Sequence, residues 1–555
     1  MFSGRTVTPT QLVTSSAIYL LLVLNTPFLQ ALANAVQATD MTDYAFTAAV
    51  AVVLLCAHVL VLTVFTVPYV LKPLLVVLII ATASIAYFMH EYGIVIDFNM
   101  VRNTFETNQA EAADLITAKL VASIAVFGVL PAALVAWVPV SWPSFPALFM
   151  QNLKRAGVVG FIGIVVLGGF YAEFASFFRE NRIVLQKLAP SNAVSATLKY
   201  AQTRFAAERG PVVPFATDAR KGAHWSRSSR PAVVVVVIGE TARADRFSLN
   251  GYEKATNPLL SKVDGLLNFG HVTSCGTDTA DSVPCIFSGL GHDHFSPDAA
   301  ARREDLLDIA KRAGVSVLWR ENQTGCKGVC DRVPSEVLTN SKDDRYCSDG
   351  ECHDEILLDG LPDKLRAMKD GGLVVLHMMG SHGPAYYKRY PAAFATFQPT
   401  CKTSQFSHCN SEEISNAFDN TILYTDYVLA KLIASLKDVA DGGIDTAMIY
   451  ASDHGESLGE KGLYLHGMPY SLAPKEQTHV PMVMWLSEPY RTAFGIDGAC
   501  LQSRTATPYS HDNVFHTVIG MLNIETQETD SRLDILSGCR HERVGMQKAE
   551  QSKTP

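Results

Sequence analysis

The chain is 555 residues long and carries 46 Lys and Arg against 54 Asp and Glu, a formal net charge of −8. That length exceeds one ordinary domain, and an acidic balance without a strongly basic block argues against nucleic acid as a partner. The mean hydropathy of +0.14 is high for a soluble enzyme, and the apolar residues crowd into the first third of the sequence.

A bilayer core of about 30 Å takes about 20 apolar residues in a helix. Five stretches meet that demand: 13–36, 45–67, 71–88, 120–140 and 158–178, the third running into His90 and Glu91. Basic residues set the orientation. Arg5 precedes the first stretch, Lys72 stands at the connection of the second and third, as the second residue of the third, and Lys154 and Arg155 lie between the fourth and fifth. Asp40, Asp43, Asp97, Glu106, Glu111 and Asp114 occupy the opposite connections, with Arg102 as the exception. The N-terminus is therefore expected in the cytoplasm and everything beyond Phe178 outside it. Reading the first stretch as a signal peptide ending in "ALANA" leaves the second half outside all the same. The expected organisation is a five-span transmembrane domain over 1–178, a connector over 179–230 and an exported catalytic domain over 231–555.

In the connector, "NRIVLQKLAPSNAVSATLKYAQTRFAAERG" has helical apolar spacing with interleaved basic residues. It suits a helix lying along a membrane surface, or one packed on its own domain. From Pro231 the pattern changes to β-branched runs: "AVVVVVIGE", "GVSVLWREN", "GGLVVLHMMG", "TAMIYASDHG" and "HVPMVMWLS". Helical patterns at 301–313, 355–369 and 414–439 fall between them. Alternating strands and helices predict an α/β domain, a mostly parallel sheet flanked by helices.

Ligands of such sheets bind beyond the carboxyl ends of the strands. Glu240 follows the first run, "RENQTGCKG" the second, Ser381 and His382 the third, and Asp453 and His454 the fourth, with His466 twelve residues on. Carboxylates and imidazoles gathered at one edge suit Zn²⁺, with Mn²⁺ the alternative. The stretch "SCGTDTADSVPCIFSGL" adds three hydroxyls, Thr277, Thr279 and Ser282, ahead of what reads as a helix start with Pro284 in its first turn. A helix N-terminus favours anions, and a metal ion activates a hydroxyl for attack on phosphorus or sulfur. Spacing alone does not choose among the three. Asp278 and Asp281 share this loop, where they would repel a phosphate, so their side chains are expected to point away from it.

Of eleven cysteines, Cys56 lies in an apolar stretch and ten lie between Cys275 and Cys539. An even number in an exported domain predicts disulfides. The spacing suggests Cys275–Cys285, Cys326–Cys330, Cys347–Cys352 and Cys401–Cys409, leaving Cys500–Cys539. His353, His377 and His479 read as structural, and Tyr386, Tyr387 and Tyr390 as packing residues.

The motifs "VVIGETARADRFSLNGY", "TSCGTDTADSVPCIFSGL", "LHMMGSHGPAYYKRYP" and "YASDHGESLGEKGLYLHG" closely resemble those of the membrane-bound phosphoethanolamine transferases that modify lipid A. The resemblance covers nearly the whole chain and implies an exported fold similar to alkaline phosphatases and sulfatases. It implies Thr279 as nucleophile and Glu240, Asp453 and His454, with Thr279, as zinc ligands. His382 and His466 would lie near the substrate phosphate, where some members hold a second zinc, and Lys327 would contact the phosphoethanolamine. Asn103, Thr107 and Glu111, spaced by four along one helical face, would contact lipid. The implied donor is phosphatidylethanolamine and the acceptor a lipid A phosphate, with polymyxin resistance as the consequence. The chain is expected to act as a monomer in the bacterial inner membrane, its catalytic domain in the periplasm. The competing readings are transfer to another envelope acceptor (a core sugar, a glycan or a protein), a zinc phosphodiesterase, and a glycerol-phosphate transferase. A sulfatase would need an Arg two positions after Pro284, where this chain has Ile286.

Overall fold

The computed structural model describes residues 6–106, 109–207, 211–228, 230–339, 341–348 and 351–540. The chain divides into two units, Met1–Val101 with Leu115–Ala201, and Arg102–Asp114 with Gln202–Pro555. Residues 179–230, read from the sequence as one connector, fall on both sides of this division.

In the first unit, four described helices are long and apolar enough to cross a membrane: Met41–Val64, Leu71–Glu91, Ala118–Trp137 and Phe145–Gly169. A fifth candidate is the pair Pro9–Leu22 and Thr26–Val36, bent by 56°. The bend has local causes. Pro27 opens the second helix, and the buried Asn25 side chain donates to the Leu20 and Ala189 carbonyls while accepting from the Ala189 N–H. The last candidate differs from the expected 158–178. It starts at Phe145, with Pro146 in its first turn, and breaks at Phe170. Lys154 and Arg155 therefore lie inside a helix rather than in a loop. Arg155 is buried with its guanidinium 3.3 Å from the Thr63 hydroxyl, so it is tied to a neighbouring helix.

The second unit is built on an eight-stranded sheet. In chain order its strands are β1 (Ala232–Gly239), β2 (Leu267–Thr273), β3 (Ser316–Glu321), β4 (Ser335–Val337), β5 (Gly372–His377), β6 (Asp445–Ser452), β7 (His479–Leu486) and β8 (Tyr509–Ser510). Across the sheet the order is β8-β2-β7-β6-β1-β5-β3-β4. All run parallel except β7, which is antiparallel to both β6 and β2. Strand β1 is buried at every position, as a central strand covered on both faces must be. Val234, Val236 and Ile238 join one core cluster with Val514, Val518 and Ile519, and the alternate valines turn to the opposite face. The long helix Ser411–Asp441, opened by a capping box of Asn410 and Glu413, packs on β6. Strand β2 was not among the sequence-predicted strands, because its half-buried alternation gives no continuous apolar run.

Register fixes the functional edge. Ile238 of β1 pairs with His377 of β5, Gly239 pairs with Ser452 of β6, and Glu321 of β3 pairs with His377. The strands thus end level, and the residues just beyond them share one rim.

Candidate active site

Glu240 is the first residue after β1, and Asp453 and His454 are the first after β6. All three are fully buried, and their ligand atoms lie within 4.8 Å of one another. Two oxygens here, Glu240 Oε1 and Asp453 Oδ2, accept no hydrogen bond. His454 Nε2 lies 3.4 Å from the first and 3.3 Å from the second. The His454 Nδ1–H points at the Gly455 carbonyl, 2.9 Å away, which leaves Nε2 facing the carboxylates as in an imidazole ligand held from behind. Burial opposes ionisation of Glu240, but His454 beside it outweighs burial and holds this carboxyl below the usual range. Burial and then the Glu240 charge push Asp453 up. Two buried carboxylates with orphaned oxygens are what a divalent cation requires. These residues fit zinc in both donor type and burial.

The turn between Cys275 and Cys285 separates its three hydroxyls. Thr277 donates to the Met468 carbonyl at 2.6 Å, and Ser282 accepts from the Gly276 N–H at 3.1 Å. Thr279 donates to Glu240 Oε2 at 3.0 Å and lies 3.4 Å from His454 Nε2. Of the three, Thr279 is the one brought to the carboxylate cluster. It is also the first residue of helix Thr279–Ser288, so the helix starts earlier than the sequence suggests and Pro284 sits inside it rather than in its first turn. Asp278 is the N-cap, its Oδ1 accepting from the Asp281 N–H at 2.9 Å. The two aspartates share one partner: Arg102 Nη2 is 2.9 Å from Asp278 Oδ1, and Nη1 is 2.8 Å from Asp281 Oδ1. All five cysteine pairs named from the sequence are disulfides. Neither Cys275–Cys285 nor Cys326–Cys330 can then ligate a metal through thiolates.

His382 and His466 meet Glu240 as a second cluster, ligand atoms again within 4.8 Å. Burial holds His382 at about 3, so it is neutral at physiological pH. The loop that carries it is fixed by buried Asp354, which accepts from the Met379 and Gly380 N–H groups at 2.7 and 2.8 Å. Gly380 is required there, since at φ +53° a Cβ would come within 2.7 Å of the Glu240 carbonyl. His466 Nδ1 is 2.7 Å from Glu456 Oε2, and Glu456 Oε1 accepts from Tyr386 at 2.6 Å. Tyr386 does pack, between Phe406 and Phe418, but its hydroxyl also anchors Glu456. His377 bonds Glu321 at the foot of the site, as a structural histidine would. Lys327, at φ +53°, donates to the Thr324 hydroxyl at 3.1 Å and lies 3.9 Å from Glu106. Asn103 belongs to helix Phe98–Glu106 and Glu111 to helix Gln109–Leu115; Thr107 lies outside the described residues. Sequence reading missed Arg102, Gln323 (a donor to Glu240), Asp354 and Glu456. Two of these carried a signal: Gln323 stands in the strand-end stretch "RENQTGCKG", and Glu456 three residues beyond Asp453 in the motif "SDHGES".

Two family models match: "Phosphoethanolamine transferase EptA/EptB" over residues 54–205 and "Sulfatase" over residues 232–524. The chain is 44% identical over 468 residues to phosphoethanolamine transferase EptA of Salmonella typhimurium, covering 84% of this chain and 85% of that protein. It is 38% identical over 540 residues to phosphatidylethanolamine transferase Mcr-1 of Escherichia coli, covering 95% and 97%. Among solved structures it superposes on the integral membrane lipooligosaccharide phosphoethanolamine transferase A of Neisseria meningitidis with a TM-score of 0.93 at 36% identity, over 97% of this chain and 100% of that one. Fold, site and sequence agree: this chain belongs to the EptA family of phosphoethanolamine transferases.

Proposed function

We propose that the chain transfers phosphoethanolamine from phosphatidylethanolamine to a phosphate of lipid A through a covalent ester on Thr279. The observation that carries this reading is the Thr279 hydroxyl set against Glu240 and His454, beside two buried carboxylate oxygens that no donor satisfies. Glu240, Asp453, His454 and Thr279 would hold zinc, with His382 and His466 near the phosphate. When bound, the ion supplies Lewis acidity that favours the alkoxide and stabilises charge on the phosphoryl oxygens.

The Thr279 oxygen attacks phosphorus, and the bond from phosphorus to the glycerol oxygen breaks. The hydroxyl proton of Thr279 ends on the departing diacylglycerol. His466 is placed to carry it: Glu456 accepts its Nδ1–H, which frees Nε2 to take and return a proton, the logic of a carboxylate-held imidazole. In the second half an oxygen of the acceptor phosphate attacks the same phosphorus. The acceptor phosphate gives up its own hydroxyl proton to His466, which passes it to the Thr279 oxygen as that oxygen leaves. Lys327 neutralises charge on the transferring group. The chain lies in the inner membrane with its catalytic unit on the periplasmic side. Masking a lipid A phosphate with an ethanolamine amine lowers the surface's negative charge and weakens cationic peptides such as polymyxin.

Intact mass spectrometry of the full chain mixed with phosphatidylethanolamine should show one phosphoethanolamine adduct, absent from Thr279→Ala. An adduct that persists in Thr279→Ala sinks the nucleophile assignment. Lipid A from cells with and without the chain tests the acceptor; unmodified lipid A beside another modified envelope component sinks that half.

A further inference from the structure

An acid on either side of the nucleophile is a liability when the substrate is an anionic phosphodiester. Asp278 precedes Thr279 and Asp281 follows it by two positions, and the Asp278 side chain is 1% exposed. Asp278 cannot simply be dispensed with, because its Oδ1 caps the helix that Thr279 begins. The counter-charge comes from far away in sequence. Arg102, itself 5% exposed, places one guanidinium nitrogen on each carboxylate. A planar fork reaches two acceptors at once, which a lysine ammonium does less well. Arg102 sits beside Asn103 in a segment of the same unit that also brings Glu106 to Lys327 and Asp114 to Lys388.

We propose that Arg102 is a positioning residue for Thr279: its fork holds Asp278 and Asp281 and offsets their charge, so that the turn keeps the Thr279 oxygen at the carboxylate cluster and an anionic donor can approach it. This rests on Thr279 as the nucleophile. The device is local to the turn and separate from the carboxylates that face the metal.

The test uses the full chain in lipid–detergent micelles containing phosphatidylethanolamine, with adduct formation followed by quenched intact mass across a series of donor concentrations and the adduct located by peptide mapping. Arg102→Gln takes the guanidinium away from both acids and should slow adduct formation at least about tenfold. The donor concentration that gives half the maximal rate should rise as well, because the exposed negative charge repels an anionic phosphodiester. Arg102→Lys should fall between the two. The triple variant R102Q/D278N/D281N removes all three charges and keeps an Asn cap. It should return to within about fivefold of the parent rate, with the parent's dependence on donor concentration. Parent-like adduct formation in Arg102→Gln, or a triple variant slower than that fivefold limit, overturns the proposal. If Arg102→Gln does not fold, the triple variant decides alone. An adduct mapped to a residue other than Thr279 would instead overturn the nucleophile reading, whatever the Arg102 rates.

Discussion

Two pairs of acids, three of the four residues buried and Asp281 half-buried, lie in the catalytic unit, and they are treated in opposite ways. Asp278 and Asp281 receive the guanidinium of Arg102. Among the described residues no arginine or lysine pairs with Glu240 or Asp453; imidazoles surround them instead, His454 against both and His382 and His466 beside Glu240, and each keeps an oxygen without a hydrogen bond, as Asp278 does. A buried charge is tolerated when it is paired, and is otherwise a demand for a cation from outside. The first pair is therefore architecture and the second is a site. Both sit within a few residues of catalytic groups, so proximity in sequence does not separate them; the source of the counter-charge does.

The sharpest way to break this comparison is Asp453→Asn. Asp453 Oδ1 accepts from the Thr241 and His454 N–H groups, but burial and the Glu240 charge oppose its ionisation; the substitution should lower transfer by about 10²-fold or more, yet raise the unfolding temperature of chelator-treated protein, since a charge disfavoured by burial is gone. The opposite sign is expected at the guanidinium-paired acids, where Asp278→Ala removes a helix cap and strands part of Arg102, lowering stability by about 1–3 kcal/mol. Thermal melts with and without chelator read both. Equal signs at the two positions would show that the pairs are not distinct.

Most of the fold and the site was legible in the chain, for reasons that differ by element. Strands β1, β5 and β6 announce themselves because a strand buried on both faces must be a continuous apolar run, and the residues next in the chain must lie at the rim. That placed Glu240, His382, Asp453 and His454 at once. Disulfides between cysteines four to ten positions apart are similarly local. The antiparallel direction of β7 was not legible, because an apolar run carries no sense of direction. Arg102 was invisible for a different reason: its partners lie 176 and 179 residues away, and a lone arginine among acidic loop residues looks like an exception to a topology rule. Spacing could not choose Thr279 over Thr277 and Ser282 either. The backbone does, by giving the other two hydroxyls hydrogen-bond partners of their own.

The cation-facing cluster has its own supports, and these should be weaker levers than its ligands. Glu456→Gln keeps the size of the side chain that holds His466 but loses the charge that makes Nε2 a good proton carrier. Transfer should drop about 10- to 100-fold, with little change in KM for the donor and a matching loss in kcat. A change confined to KM would make Glu456 a substrate contact instead. On the turn, replacing Cys275 and Cys285 together by Ala opens a loop of sequence separation 10, worth somewhat under about 3 kcal/mol on the loop-entropy account. Because Asp278, Arg102 and the Thr277 hydrogen bond still hold the turn, the activity lost should exceed what the unfolding measured at the same temperature explains. A variant of parent activity would show that the bridge adds nothing to the placement of Thr279.

The smallest expected effect lies on the residue that joins the two regions. His511 is buried; its Nδ1 accepts from the Cys275 N–H at 3.1 Å, at the start of the turn, so its Nε2–H donates to the Ser452 carbonyl at 2.9 Å, next to Asp453. Burial holds this imidazole down at about 4, below an ordinary value near 6.5. The folded protein therefore binds fewer protons here than the unfolded chain does. Stability from His511 is fully present above about pH 6.5 and is lost as pH falls toward about 4, at roughly 1 kcal/mol for each pH unit inside that window. His511→Gln can accept and donate in the same two directions without titrating. Its denaturant-measured stability should match the parent near pH 7.5 and exceed it by about 1 kcal/mol near pH 5.5, the difference between the two chains cancelling what other buried histidines contribute. If the two curves run parallel across that range, the proton is not excluded from His511, and the link from the Cys275 turn to the end of β6 tolerates a charge.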